Sequence, residues 1–254
     1  MIDTHAHLYL PEFWPDISEV VIRAKENVRA VVLPNIDWGS LADLNALVEK
    51  YSGYMFATIG LHPCSVKENF NTILLQMENE LARNPDQYVG IGETGLDLYW
   101  DKSTLFSQFE ALERQIEWAI AYQKPIILHS REAFAETLNT IQKKSTSRLK
   151  GIFHCFNGSA QEARAIRELN FWVGIGGTVT YKKNSLREAI RDIPLEAIVL
   201  ETDAPYLAPV PCRGKRNESG YLYYVASEIA KLKGIALEEV IEVTSINARR
   251  IFSL

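Results

Sequence analysis

The chain has 254 residues, 47% of them apolar and 23% charged, with 14 glycines and 10 prolines. This is globular composition at the size of one closed α/β barrel, and it excludes disordered, collagen-like and disulfide-scaffold classes. The net charge of -5 excludes a globally basic nucleic-acid coat but leaves room for a local basic rim.

In chain order, short β-branched or apolar runs alternate with helical patterns. A first strand over residues 1–8 precedes the stripe Ile17, Val20, Val21 and Ala24, which Asp16 is placed to cap. Strands at 30–35 and 55–62 flank a second stripe, Leu41, Leu44, Leu47, Val48 and Tyr51, opened by Ser40. A strand at 88–93 leads to the longest stripe, Leu105, Phe109, Leu112, Ile116, Ala119 and Ile120, opened by Ser103. Strands at 125–129, 151–156, 171–176 and 197–203 follow, with helices begun at Ser159 and Ser185 between them. The tail is helical by pattern over 221–229 and 237–247.

Val31-Val32-Leu33 and Ile126-Ile127-Leu128 are apolar throughout, as parallel strands covered on both faces should be. Eight strand–helix units without a linker or composition break predict a single (β/α)8 barrel spanning residues 1–254. An open doubly wound sheet would want a Gly-rich phosphate loop after its first strand, where His5-Ala6-His7-Leu8-Tyr9 stands instead.

All five histidines, His5, His7, His62, His129 and His154, fall at or near the C-terminal end of an expected strand, the end where barrels collect catalytic groups. His5 and His7 are two apart and so face one way, as one metal ion requires. An ordinary hydrogen-bonded pair explains that motif alone equally well. Glu93, His129, His154 and Asp203 add two carboxylates and two imidazoles to the same ring. That set is too large for one tetrahedral zinc and suits two adjacent cations; the competing reading is a hydrogen-bonded polar plug.

Pro63 biases His62 to an extended conformation, and substrate contact is the favoured role for its ring. Asp3 and Glu201 share strand phase with the ligands one layer deeper, where they orient an imidazole or make buried structural bonds. Arg131, Lys182-Lys183 and Arg213-Gly214-Lys215-Arg216 place positive charge on the same rim of an acidic protein, which an anionic phosphate ester would explain. Tyr9, Trp14, Tyr99, Trp100 and Tyr206 lie in loops after strand ends, where packing is the default and base stacking the alternative.

Seven stretches, running in order over nearly the whole chain, resemble the TatD-type metal-dependent deoxyribonucleases, a branch of the amidohydrolase-like barrels. They are Asp3-Thr4-His5-Ala6-His7-Leu8, Gly60-Leu61-His62-Pro63, Gly92-Glu93-Thr94-Gly95-Leu96-Asp97, His129-Ser130-Arg131, His154-Cys155-Phe156-Asn157-Gly158-Ser159, Glu201-Thr202-Asp203-Ala204-Pro205-Tyr206-Leu207 and Arg213-Gly214-Lys215-Arg216-Asn217. The resemblance implies a metal-dependent hydrolase with His5, His7, Glu93, His129, His154 and Asp203 as ligands. Glu93 then bridges two ions in place of the carboxylated lysine of amidohydrolase relatives.

The expected activity is phosphodiester hydrolysis on DNA, trimming single strands from an end, with Asp203 and Glu93 as catalytic residues. His62, Arg131, Arg213 and Lys215 are the expected substrate contacts, and two divalent ions (magnesium, manganese or zinc) the cofactors. One alternative is a barrel hydrolase of a small amide, lactone or phosphate ester at the same site. Another is a non-catalytic metal-stabilised binding protein. No apolar run is long enough to span a bilayer and no protein partner is called for. Met1-Ile2-Asp3-Thr4-His5 lacks the features of a secretory signal, and three scattered cysteines (Cys64, Cys155, Cys212) suit a reducing cytoplasm.

Overall fold

The computed structural model describes residues 1–254. Eight strands form one parallel sheet in chain order: β1 (Ile2–Asp3), β2 (Ala30–Leu33), β3 (Met55–Ile59), β4 (Tyr88–Asp97), β5 (Ile126–Arg131), β6 (Gly151–Phe153), β7 (Phe171–Ile175) and β8 (Ile198–Leu200). The last strand meets the first just beyond their ends. Thr4 N–H donates to the Leu200 carbonyl (3.0 Å), Asp203 N–H to His5 (2.8 Å) and His7 N–H to Ala204 (2.7 Å). A parallel bridge joins Ala6 to Ala204. The helices α1 (Ile17–Lys25), α2 (Leu41–Lys50), α3 (Phe70–Arg83), α4 (Leu105–Ala121), α5 (Phe134–Lys144), α6 (Ala160–Glu168), α7 (Leu186–Asp192) and α8 (Leu222–Lys233) each follow a strand, and α9 (Leu237–Phe252) ends the chain. This is the (β/α)8 barrel that the alternation of elements predicts.

Strands covered on both faces should alternate between two apolar environments, and they do. Val31, Leu33, Ile126, Leu128, Phe171, Val173, Ile198 and Leu200 join the large cluster packed against the helices. Their neighbours Ile2, Ala30, Val32, Ile127, Ile152, Trp172 and Val199 form a second, inner cluster, which Ala248, Ile251 and Phe252 of α9 complete from below. No helix is long and apolar enough to cross a membrane.

Several boundaries differ from the sequence expectation. β1 stops at Asp3, β3 at Ile59, β6 at Phe153 and β8 at Leu200, so most of the histidines and Asp203 lie one to several residues past a strand. β4 and β5 run further than expected, pairing Gly95 with His129 and Asp97 with Arg131. Among the expected caps, only Ser159 bonds the helix, in a capping box with Glu162. Asp16 and Ser40 stand at helix starts without capping, because Arg216 takes the Asp16 carboxylate and Asp37 and Asn35 engage the Ser40 hydroxyl. Ser185 also makes no cap bond, and Thr104 rather than Ser103 precedes α4.

Candidate metal centre

Glu93 sits at the hub of the mouth, 2% exposed, on a β4 that two glycines press against β5. A Cβ at Gly92 would lie 2.7 Å from the Ile127 carbonyl oxygen, and one at Gly95 would overlap that of His129. Both glycines also have positive φ (129° and 145°), which side-chain-bearing residues rarely adopt. The flanking residues are small because the carboxylate must be carried in close beside His129.

The two oxygens of Glu93 face different partners. Oε2 lies 3.2 Å from His5 Nε2 and 3.5 Å from His7 Nε2. Asp203 Oδ1 stands 3.7 and 3.6 Å from the same two nitrogens. Oε1 lies 2.8 Å from His154 Nε2, 3.0 Å from His129 Nδ1 and 3.3 Å from His62 Nε2. One carboxylate thus divides the site into a half built on the first and last strands and a half built on the middle ones. The two halves also touch directly, since the His5 and His154 rings stack at 4.0 Å.

Hydrogen bonds behind the rings assign the protons. His7 Nδ1 faces the Pro34 carbonyl (3.2 Å) and the Tyr9 hydroxyl (3.1 Å), which itself donates to Pro34. The ring proton therefore sits on Nδ1 and a lone pair on Nε2 points inward. His129 Nε2 meets the buried Asp97 carboxylate at 2.9 Å, so its Nδ1 presents the lone pair. His62 is the reverse case. The Cys64 N–H donates to its Nδ1 (3.1 Å), which leaves the proton on Nε2, aimed at Glu93. His62 is thereby a donor at the site, not a lone-pair ligand.

The arrangement fits divalent cations. His129 Nδ1 and Glu93 Oε1 face each other at 3.0 Å, a pair that takes either a proton or a cation between them. His5 Nε2 and His7 Nε2 are 3.1 Å apart, and His129 Nδ1 and His154 Nε2 are 3.3 Å apart. Tetrahedral ligands at 2.0–2.1 Å from one ion would be separated by about 3.3 Å. The charges of these groups are set by the same contacts. Burial would raise the Glu93 pKa, but His154, His62 and His5 outweigh it and hold the group well below the usual carboxylate range. Burial lowers His5 and His62. It opposes charge on His129 and His154 too, yet Asp97 and Glu93 raise the first, and Glu93 and Glu201 raise the second well above the ordinary histidine value.

Asp97 is the residue that sequence reasoning missed. Burial would raise its pKa, but the His129 bond and the Trp100 and Tyr99 amides hold it well below normal. The available signal was its place in the Gly92–Asp97 stretch, four residues past Glu93 on a strand expected to end there. Glu201 stands behind the other imidazole of the same half, 3.7 Å from His154 Nδ1 and beyond hydrogen-bond reach, while accepting the Cys155 N–H at 2.5 Å. Asp3 does not reach an imidazole. It accepts from Thr202 N–H (3.0 Å), Thr202 Oγ1 (2.7 Å) and His5 N–H (3.3 Å), because the strand phase breaks after β1 and Ile2 is the inward residue.

The expected rim cations separate into two kinds. Arg216 is bound to Asp16 at 2.7 and 2.8 Å and is not free for substrate. Arg131 lies over the Tyr99 ring at 3.9 Å and Arg213 over Tyr181 at 4.4 Å, both exposed, and Lys215 is exposed two residues past Arg213.

A closed barrel with imidazoles and carboxylates converging at the C-terminal mouth defines a metal-dependent hydrolase. Residues 2–253 match the model of the family described as TatD related DNase, and the chain belongs to that family. It is 38% identical to an uncharacterised metal-dependent hydrolase, YabD, of Bacillus subtilis, over all of this chain and 99% of that one. It is 32% identical to the 3'-5' ssDNA/RNA exonuclease TatD of Edwardsiella piscicida, over the full length of both. The crystal structure of the TatD homologue YjjV from Escherichia coli superposes with a TM-score of 0.94 at 30% identity, covering 100% of this chain and 98% of that one.

Proposed function

We propose that this hydrolase cleaves phosphodiester bonds at the end of a single DNA strand, using two divalent cations held on either side of Glu93. The observation that carries the reading is the division of the Glu93 oxygens between two sets of ligands. His5, His7 and Asp203 would hold one cation with Oε2, and His129 and His154 the other with Oε1. When bound, such a pair supplies Lewis acidity, making water acidic at neutral pH and offsetting charge that builds on the phosphate.

The chain's own groups do the rest. Burial would raise the Asp203 pKa, but His7 and the neighbouring His5 and His154 hold it below the usual carboxylate value, and its side chain, 13% exposed, opens to the mouth. It is the base that orients the attacking water and takes its proton. His62 Nε2–H donates to a non-bridging oxygen, Arg213 and Lys215 hold the phosphate from the rim, and Arg131 contacts the substrate strand from the β5 side. The Edwardsiella relative's designation as a 3'-5' ssDNA/RNA exonuclease supports a single-stranded nucleic acid as substrate.

The test is degradation of a single-stranded oligodeoxynucleotide labelled at either end. Metal-stripped protein is re-supplied with magnesium, manganese or zinc beside an Asp203→Asn control. Progressive, metal-dependent shortening that the control lacks is expected, and it reports the polarity of digestion. No cleavage with any metal would overturn the DNA reading in favour of a small ester at the same site.

A further inference from the structure

We infer that Tyr99, Trp100 and Arg131 form a nucleobase-stacking subsite on the β4–β5 side of the mouth, an inference that rests on the phosphodiesterase reading above. Trp100 is 67% exposed and Tyr99 50% exposed, so packing under the loop does not account for them. Their rings meet edge-on at 4.9 Å and 86°, and the Arg131 guanidinium lies 3.9 Å from the Tyr99 centroid and 5.4 Å from that of Trp100. Arg131 has no carboxylate partner; the two rings are what hold it.

The cluster is wired to the catalytic centre by a single side chain. One oxygen of Asp97 holds His129 Nε2 at 2.9 Å, and the other accepts the Tyr99 and Trp100 amides, each at 2.9 Å. The loop that carries the aromatics is therefore fixed relative to an imidazole at Glu93, and Arg131 lies on the same strand, two residues past His129. A strand whose phosphate reached Glu93 would bring its neighbouring base alongside this platform. The indole supplies an open face, and the guanidinium adds a planar cation that can stack or bond a base edge.

The opposite rim is built differently. Arg213 also lies over a tyrosine, but the Tyr181 hydroxyl is tied to the Ala208 carbonyl at 2.9 Å and the ring is only partly exposed. Tyr206, 51% exposed and 6.3 Å from the His7 ring, also borders that side, but no cation lies over its face and no second exposed ring meets it. The paired rings with a cation across them are therefore a feature of the β4–β5 side.

The experiment measures binding of fluorescent oligothymidylate, and of a strand of equal length made wholly of abasic residues, to manganese-loaded protein carrying Asp203→Asn to suppress cleavage. The thymidylate should bind about tenfold tighter than the abasic strand, the scale of a base stacked on an aromatic ring. Adding Trp100→Ala should abolish most of that difference, and Trp100→Phe should retain it. Equal binding of the two strands, or an equal loss on both in Trp100→Ala, would overturn the subsite. If the protein with Asp203 intact still degrades oligonucleotides in that case, the phosphodiesterase reading stands without the subsite. If it neither binds nor degrades them, both fall.

Discussion

The bottom and the mouth of the barrel use the same strands and the same side-chain direction for opposite purposes. Ile127, Ile152 and Val199 point into the inner cluster that α9 closes; two residues further on, about 7 Å along an extended chain, stand His129, His154 and Glu201. Below, seven strand residues and three from α9 exclude water around an apolar plug. Above, two buried carboxylates and converging imidazoles hold one another in charge-dependent contacts around Glu93. The mouth also carries Cys155 and Asp203 with left-handed backbone (φ 48° and 57°), strain of order 1–3 kcal/mol each that the lower packing must hold in place. The lower half sets stability and the upper half sets chemistry.

Changes in the two halves should therefore separate. Glu93→Gln removes the charge that both halves of the site share, and hydrolysis should fall about 10³-fold or more while cooperative thermal unfolding persists. Comparable activity in that variant would break the comparison. Asp97→Asn leaves the donor set intact but loosens His129, so manganese affinity should drop roughly 10- to 100-fold, read by titration at constant pH. An unchanged affinity would show that Asp97 does not orient the ring. At the bottom, Ile251→Ala should cost about 2–5 kcal/mol in urea unfolding with manganese affinity unaltered. Lost metal binding there would mean that the two ends are not separable.

A pH-dependent effect sharpens the boundary between the halves. Burial pushes Asp3 up to about 7, although bonds from Thr202 and His5 pull it down. Its folded pKa lies above the unfolded value, so its contribution to stability is full below about pH 4 and is lost as pH rises towards 7. Asp3→Asn, which the Thr202 hydroxyl can serve by reversing its role, should gain on the native chain by up to about 1.4 kcal/mol per pH unit across that window. Parallel stability–pH curves for the two proteins would contradict the assignment.

Much of this was legible before any coordinates. Alternating apolar runs and helical stripes predict the barrel, and five histidines at strand ends locate the mouth. What escaped was conformation past the strand ends. Period two says that Asp3 and His5 face alike, but β1 ends between them, and nothing in the residue types marks that break. His62 read as a substrate contact; its role as a donor depends on the Cys64 N–H, a contact within its own turn that composition does not encode. Asp97 was hidden because Gly95 lets β4 continue where the pattern suggests a stop. Arg216 looked like part of a basic rim, although its partner Asp16 is remote in sequence.

The division of the site by Glu93 is tested by counting manganese bound per chain at saturation, by equilibrium dialysis of the metal-stripped protein. Two ions per chain, falling in Glu93→Gln, are expected. A single ion at saturation would contradict the account, because the two oxygens of Glu93 would then serve one centre.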